Sequence, residues 1–493
     1  MKQSQRVAKN TASGIFAAVA GGMLQFVSIF IVAHFLGVRD FGIFNYLLAF
    51  ATVFQFMADF GLSNILVREM TKRPGELERL LGAGKMLLWL LFGGAVLAMM
   101  LILACLHLSP ETKLLSLIMG LAYLLLLHSV SYIAVLRATE EMEYNAIGFV
   151  LQRTLLVVFL LVALSMQLGL WGVVWCHFLA NLFQWAFYHW IVTMRNTRGK
   201  LRWDPPLWKT LILETLPLGG GIALRQFAWQ LDIFLLTYFT NADSVGLFSG
   251  PFRIVTGLTL LSAVLSVPLF PLFVRLAHDS RPELAAVYQR TVKWFCLISC
   301  PIMAACLAAP RVWIHLFLGE KFYAAVPVLQ ILSLAIVPVF ISVLYPFLYS
   351  ALHIQKWFLA TMAAVVAARL ALGCWVIPRY GYLGECVVIA AIEIVLFMIL
   401  AGHLSRMDIP VGLKNNLAKP ILASSAMGLV LFIAGNSGVI WTIFVAVLGG
   451  VLYLGVLAVL RTFTREELAL AREASGFLKT YWIAGRLKRG IRI

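Results

Sequence analysis

Residues 11–65 read TASGIFAAVAGGMLQFVSIFIVAHFLGVRDFGIFNYLLAFATVFQFMADFGLSNI, two apolar blocks at about 11–36 and 41–65 joined by Gly37, Val38, Arg39 and Asp40. A helix rises about 1.5 Å per residue and a bilayer's hydrocarbon core is roughly 30 Å thick, so each block is long enough to cross it. The stretch therefore predicts a membrane hairpin. Its first block is full length rather than the short apolar core of a secretory signal, and the N-terminus is expected to stay attached.

Outward from this hairpin the pattern recurs at about 83–107, 114–137, 146–168, 171–194, 213–239, 246–274, 292–316, 325–350, 354–377, 382–404, 418–435 and 438–460. The fold class expected is an all-α polytopic membrane protein of about fourteen transmembrane helices. Composition agrees: 62% of residues are hydrophobic and 12% charged, against about 45–50% and about 25% in soluble domains.

Cations fix the orientation. With the N-terminus inside, about 30 Lys and Arg fall in cytoplasmic segments and about four (Arg39, Lys113, Lys321, Arg379) in the opposite loops, the bias that sets membrane topology. Both termini are then cytoplasmic. The net charge of +17 is spread over many short loops, which excludes a nucleic-acid-binding domain as its explanation. The basic segment 461–493 carries Leu468, Phe477, Leu478, Tyr481 and Trp482 and is expected to lie on anionic lipid.

No loop exceeds about 20 residues, so there is no room for a soluble active site. The seven cysteines sit in or beside apolar blocks, and His128, His177 and His189 lie among aromatic and aliphatic residues. None has metal-ligand spacing. Neither a Gly-rich phosphate loop nor a nucleophile elbow is present. The chain is expected to be no enzyme and to need no metal and no cofactor.

Gly42-Ile43-Phe44 matches Gly246-Leu247-Phe248, 204 positions later; Leu66-Val67-Arg68 matches Phe273-Val274-Arg275 at about 207, and Gly169-Leu170-Trp171-Gly172 matches Gly381-Tyr382-Leu383-Gly384 at about 212. Ordered matches with slowly growing offsets suggest duplication. The organisation expected is two pseudo-symmetric six-helix bundles, 1–212 and 213–409, an extra helix pair at 410–460 and the tail at 461–493. Parallel repeats of this kind hold a transporter's substrate between the halves.

Ionisable groups at membrane depth cost at least about 2.5–3.5 kcal/mol at mid-helix, so each is a site candidate. Arg225, Trp229 and Asp232 share one face of the seventh span beside Gln226, after Pro217 and the run Gly219-Gly220-Gly221. Further candidates are Gln25, Asp59, Arg253, Arg369 and Glu393, with Arg153 and Glu385 nearer span ends. Guanidinium groups bind phosphate bidentately; Arg225, Arg253 and Arg369 are expected to draw in an anionic headgroup, with Trp229, Gln25 and Gln226 beside it. Asp59, Asp232 and Glu393 are the ion-coupling candidates, for proton or sodium.

The opening through Glu69, with the pieces FLGVRDFGIFN, Asp59-Phe60-Gly61-Leu62 and SVGLFSGPFR at Ser244 to Arg253, resembles the bacterial O-antigen type polysaccharide flippases of the multidrug/oligosaccharidyl-lipid/polysaccharide (MOP) exporter superfamily. The resemblance implies translocation of a polyprenyl-pyrophosphate-linked oligosaccharide from the cytoplasmic to the periplasmic leaflet of the inner membrane, for lipopolysaccharide-like surface polysaccharide. It also implies contact with membrane lipids and with polysaccharide polymerase machinery. Two alternatives stand beside it: a cation-coupled multidrug exporter of the same superfamily, and a membrane polysaccharide polymerase or ligase.

Overall fold

The computed structural model describes residues 3–195, 199–434 and 438–462, with side chains except at 3–12, 15, 216–226, 267, 413–415, 439 and 440. The tail from 463 onward and the side chains of Arg225 and Gln226 lie outside the described residues, as do those of the Pro217 and Gly219–Gly221 segment.

All regular structure in the described residues is helical. In chain order it comprises α1 (Gln3–Phe35), α2 (Val38–Asp59), α3 (Leu62–Lys72), α4 (Leu77–Cys105), α5 (Pro110–Ala138), α6 (Met142–Ser165), α7 (Gly169–Met194), α8 (Pro205–Phe239) and α9 (Ala242–Ser266). There follow α10 (Phe270–Asp279), α11 (Arg281–Ala308), α12 (Pro310–Leu318), α13 (Val326–Ser333), α14 (Ile336–Ser342), α15 (Tyr345–Ala351), α16 (Gln355–Ser405), α17 (Leu413–Ala434) and α18 (Val439–Val459).

Among the described residues ten helical segments are long and apolar enough to cross a membrane, or eleven if one bent pair counts as a span. Three features separate this number from the fourteen expected spans. The eleventh and twelfth expected spans run together as α16, whose 51 residues contain one non-helical residue, Gly381 (φ 60, ψ −151). A straight helix of that length would be about 75 Å long, far beyond one bilayer, so the break at Gly381 divides it. The tenth expected span is bent by 52° between Glu320–Ser333 and Ile336–Ala351. Finally, α7 and α8 have 26 and 35 residues, but α7 carries His177, Asn181, Gln184 and His189, and in α8 the described apolar stretch is Phe227–Phe239.

Local signals set several boundaries. Ser109 caps α5 by accepting from the Thr112 amide at 3.2 Å, ahead of Pro110, and Asp204 caps α8 ahead of Pro205, both favourable starts. Phe60 and Gly61 take left-handed conformations (φ 43 and 82) and end α2. The Asp59 carboxylate then accepts from the amide and hydroxyl of Ser63 at 3.1 and 2.9 Å and caps α3.

The chain divides into two compact units, Met1–Ser280 with Trp313–Leu400, and Arg281–Val312 with Ala401–Ile493. At the centre of the first, α2 packs on α4, α5, α8 and α9, which explains its lack of a polar face. Its Gly42 lies so close to α9 that a Cβ would collide with the Ala242 carbonyl, and a Cβ on Gly246 would collide with the carbonyl of Val38. Buried amides join α5, α6 and α7: Gln152 donates to Asn181 Oδ1 at 2.9 Å, and Asn181 donates to the Ala122 carbonyl at 3.0 Å.

The chain entering α8 is fastened to the start of α4. Arg202 N donates to Gly82 O at 3.3 Å, Trp208 Nε1 donates to Ala83 O at 2.9 Å, and Arg79 pairs with Asp204 at 2.9 Å.

In the second unit α11, α17 and α18 enclose a core of Leu297, Ala423, Met427, Leu431, Val445, Tyr453 and Leu457. The Tyr453 hydroxyl donates to the Leu297 carbonyl at 2.8 Å. Beside this core α11 and α17 flank an apolar groove of about 400 Å³ that includes Met303, Leu307, Gly428, Leu429 and Phe432.

Candidate functional site

The first unit contains two polar centres of opposite charge. The cationic one is built from Arg153 and Arg253, with Tyr123 within electrostatic reach of both guanidinium groups. Arg153 is the twelfth of the 24 residues of α6, and Arg253 the twelfth of the 25 of α9. Each is therefore at mid-helix, the most expensive depth for a charge. Arg253 Nε donates to Asn45 Oδ1 at 3.3 Å, while Arg253 Nη2 and Arg153 Nε are sealed from solvent without a hydrogen-bond partner. Among the described residues no carboxylate forms an ion pair with either arginine.

Glycine 21 of α1 lies against the Phe149 ring of α6, and one turn further along these parallel helices come Gln25 and Arg153. The side-chain oxygen of Gln25 is buried and unpartnered, so it too is available to a donor.

The second centre is acidic. Arg369 in the first part of α16 contacts Asp232 Oδ2 of α8 at 3.3 Å and Glu393 Oε1 in the second part of α16 at 2.6 Å. Glu385 is fully buried and faces Asp232. Asp232 Oδ1 and both Glu385 carboxylate oxygens have no donor. One guanidinium thus stands among three carboxylates.

The structure brings Asp232, Arg369 and Glu393 together and adds Glu385 to them. It pairs Arg369 with two acids, whereas Arg253 has Asn45 as its hydrogen-bond partner. Asp59 lies apart, spent on the cap of α3, and Trp229 is half exposed. Sequence distance placed Arg153 and Glu385 nearer span ends. Extending α6 back to Met142 puts Arg153 at its middle, while Glu385 stays near the start of its span, after the break at Gly381, and is set against Asp232 of α8.

A family model described as polysaccharide biosynthesis protein matches residues 7–277, more than half of the chain. The chain belongs to this family. The teichuronic acid biosynthesis protein TuaB of Bacillus subtilis (strain 168), a relative of this polysaccharide biosynthesis protein, is 22% identical over 227 residues, spanning 42% of this chain and 44% of TuaB. Among solved structures, the lipid II flippase MurJ in an inward closed conformation aligns with a TM-score of 0.72 and 13% identity, covering 92% of this chain and 98% of MurJ. A multidrug resistance MATE family transporter of the MOP superfamily, inward-facing, gives a TM-score of 0.62 and 13% identity, covering 80% of this chain and 98% of the transporter. At such identities the likeness is one of fold. With the family match, it bears out the resemblance read from FLGVRDFGIFN and SVGLFSGPFR: this is a multi-pass membrane protein of the MOP fold that belongs to the polysaccharide biosynthesis protein family.

Proposed function

We propose that the protein is a flippase that carries a polyprenyl-pyrophosphate-linked oligosaccharide from the cytoplasmic to the periplasmic leaflet of a bacterial inner membrane. The observation that carries this reading is the uncompensated pair Arg153 and Arg253 at mid-helix. Two partly buried cations, each with a sealed and unpartnered N–H and, among the described residues, no carboxylate paired to it, ask for an anion, and a pyrophosphate offers charge and bidentate acceptors together. Asn45, Tyr123 and Gln25 supply neutral hydrogen-bonding groups around it. The apolar groove beside α11 and α17 suits an isoprenoid chain.

Transport follows alternating access, with the two repeats opening to one side and then the other around the bound headgroup. The polyprenyl tail stays in lipid, so only the pyrophosphate and sugars need a polar path. Family membership and the fold shared with a lipid II flippase support the flippase reading.

A second reading has an observation of its own. The three carboxylates around Arg369 would suit a cationic drug, as a multidrug exporter of the same superfamily would need.

Flipping of a fluorescent polyprenyl-pyrophosphate oligosaccharide in proteoliposomes tests the proposal. Wild type should move it above the protein-free rate, and Arg153→Gln and Arg253→Gln should each lose at least tenfold. Movement of organic cations alone would replace the flippase reading with the exporter reading.

A further inference from the structure

We propose that Lys85, Tyr132 and His189 form a binding site for the phosphate of an anionic phospholipid, on the outer side of the first unit at the end that carries the basic loops. The inference needs only that the protein spans a membrane, and does not depend on what it carries.

Three helices meet at this place. Lys85 is eight residues from the start of α4, Tyr132 six from the end of α5 and His189 five from the end of α7. At about 1.5 Å per residue all three lie within about 12 Å of their helix ends, the depth of the bilayer interface rather than its middle.

Two N–H donors are held ready there. The Lys85 ammonium donates to the Gly199 carbonyl at 3.3 Å and stands 4.7 Å over the Tyr132 ring. An ammonium has three N–H groups, so these contacts fix its place and leave it hydrogen to give. The Tyr132 hydroxyl lies 2.8 Å from His189 Nδ1. Among the described residues it has no other acceptor, so it donates to Nδ1, and the proton of the neutral imidazole then sits on Nε2. Trp185 stacks on the same ring at 5.7 Å and 7° and holds its plane. His189 is exposed, and Nε2–H is the donor left for a ligand.

No acid takes these donors. Arg79 and Arg195, at the same end of the bundle, are paired with Asp204 and Glu141, but among the described residues no carboxylate pairs with Lys85 or His189. Exposed Lys200 and Arg202 add positive charge, since the backbone of their loop lies on Gly82, one turn before Lys85. A phosphodiester brings one negative charge and several acceptor oxygens. One turn deeper, Trp89 of α4 packs on His128 of α5 at 3.9 Å, and Trp89 and Leu90 are each 45% exposed, an apolar face for the acyl chain below the phosphate. Trp and Tyr line the interface of membrane proteins in general. Two directed donors from different helices, without a carboxylate, set this place apart.

Helix α5 separates the site from the cationic centre. Tyr123, which is within reach of Arg153 and Arg253, and Tyr132 are nine residues apart, about two and a half turns, and hence on opposite sides of the helix. The occupant is therefore a lipid of the surrounding bilayer.

Native mass spectrometry of the purified full-length protein, titrated with phosphatidylglycerol or phosphatidylcholine of matched chains, tests the site. Phosphatidylcholine carries the same phosphate with a cation attached, which Lys85, Lys200 and Arg202 repel. Wild type should hold phosphatidylglycerol about fivefold more tightly, and Lys85→Gln and His189→Phe should each cut that preference to about twofold or less. Lys85→Arg should retain it, and so should Lys356→Gln, which removes one exposed charge from α16. Equal losses in Lys85→Gln and Lys356→Gln would reduce the effect to overall charge and overturn the site. A preference that survives both Lys85→Gln and His189→Phe would do the same. Where Lys85→Gln does not fold, His189→Phe, at an exposed position that keeps a ring against Trp185, carries the test by itself. Millimolar inorganic pyrophosphate should leave the bound phosphatidylglycerol in place; displacement would assign the site to a soluble phosphate compound and overturn the lipid as its occupant.

Discussion

Gly42 of α2 and Gly246 of α9, 204 residues apart, each press a bare Cα against the first turn of the other's helix. A side chain at either would strike a backbone carbonyl, which cannot swing away as a flexible side chain can. Overpacking of this kind costs about 1–3 kcal/mol. Gly42→Val and Gly246→Val should therefore each lower thermal stability in detergent by about that amount. Because both disturb one crossing, the double variant should cost clearly less than the sum. Additive losses in a melting experiment would mean that the two glycines do not share a contact.

The same pair marks what a sequence can give. The Gly-Ile-Phe and Gly-Leu-Phe matches, read as a sign of duplication, fall where α2 and α9 cross with backbones in close contact, because such a crossing leaves a small-residue signature. Apolar block length gave the helices. Depth and partnership were harder: Arg369 and Arg253 are alike as lone arginines in apolar runs, and only the fold assigns one to Asp232 and Glu393 and leaves the other beside Arg153. Glu385 sits near a span end, one turn past the break at Gly381, and only the fold sets it against Asp232. Arg225 and Gln226 lie outside the described side chains, so their place beside Asp232 rests on helical spacing alone.

Opposite surroundings give the arginines opposite phenotypes. Removing Arg369 strands three carboxylates in a buried site, and breaking a buried pair typically costs 3–5 kcal/mol. Arg369→Ala should lower melting temperature sharply. Arg253→Gln deletes a charge that lacks an acidic partner among the described residues and should leave stability unchanged or raised, while flipping falls. The comparison is a thermal melt and a transport assay on the same preparations; equal destabilisation by both variants would show that Arg253 has a compensating anion.

Asp204 provides a pH dependence outside the spans. Burial works against its charge, but hydrogen bonds from Arg79 and the Leu207 amide, with the charges of Arg79 and Arg202, outweigh it and hold the carboxyl below its ordinary range. A group depressed in the folded state stabilises above its unfolded value of about 3.9 and loses that contribution as pH falls through the folded value. Stability conferred by Asp204 should thus be constant at neutral pH and vanish only in acid below about pH 4. Asp204→Ala should cost about 1 kcal/mol or somewhat more through the lost cap and ion pair, with the difference from wild type shrinking below that pH. A difference that persists unchanged in acid would exclude the ionised carboxylate as its source.

Asn181 is the middle link of a buried chain in which it accepts from Gln152 and donates to the Ala122 carbonyl. Interhelical hydrogen bonds in membranes average about 0.6 kcal/mol, yet removing one partner strands the other, which costs about 1–3 kcal/mol for a buried polar group. Asn181→Leu should accordingly lose more stability than two such bonds are worth, because the Gln152 amide is left without its acceptor. Adding Gln152→Leu removes that stranded amide and replaces it with an apolar side chain against α7. The double variant should then melt above Asn181→Leu alone, and a double variant that melts lower would show that Gln152 has a second partner holding α6 in place.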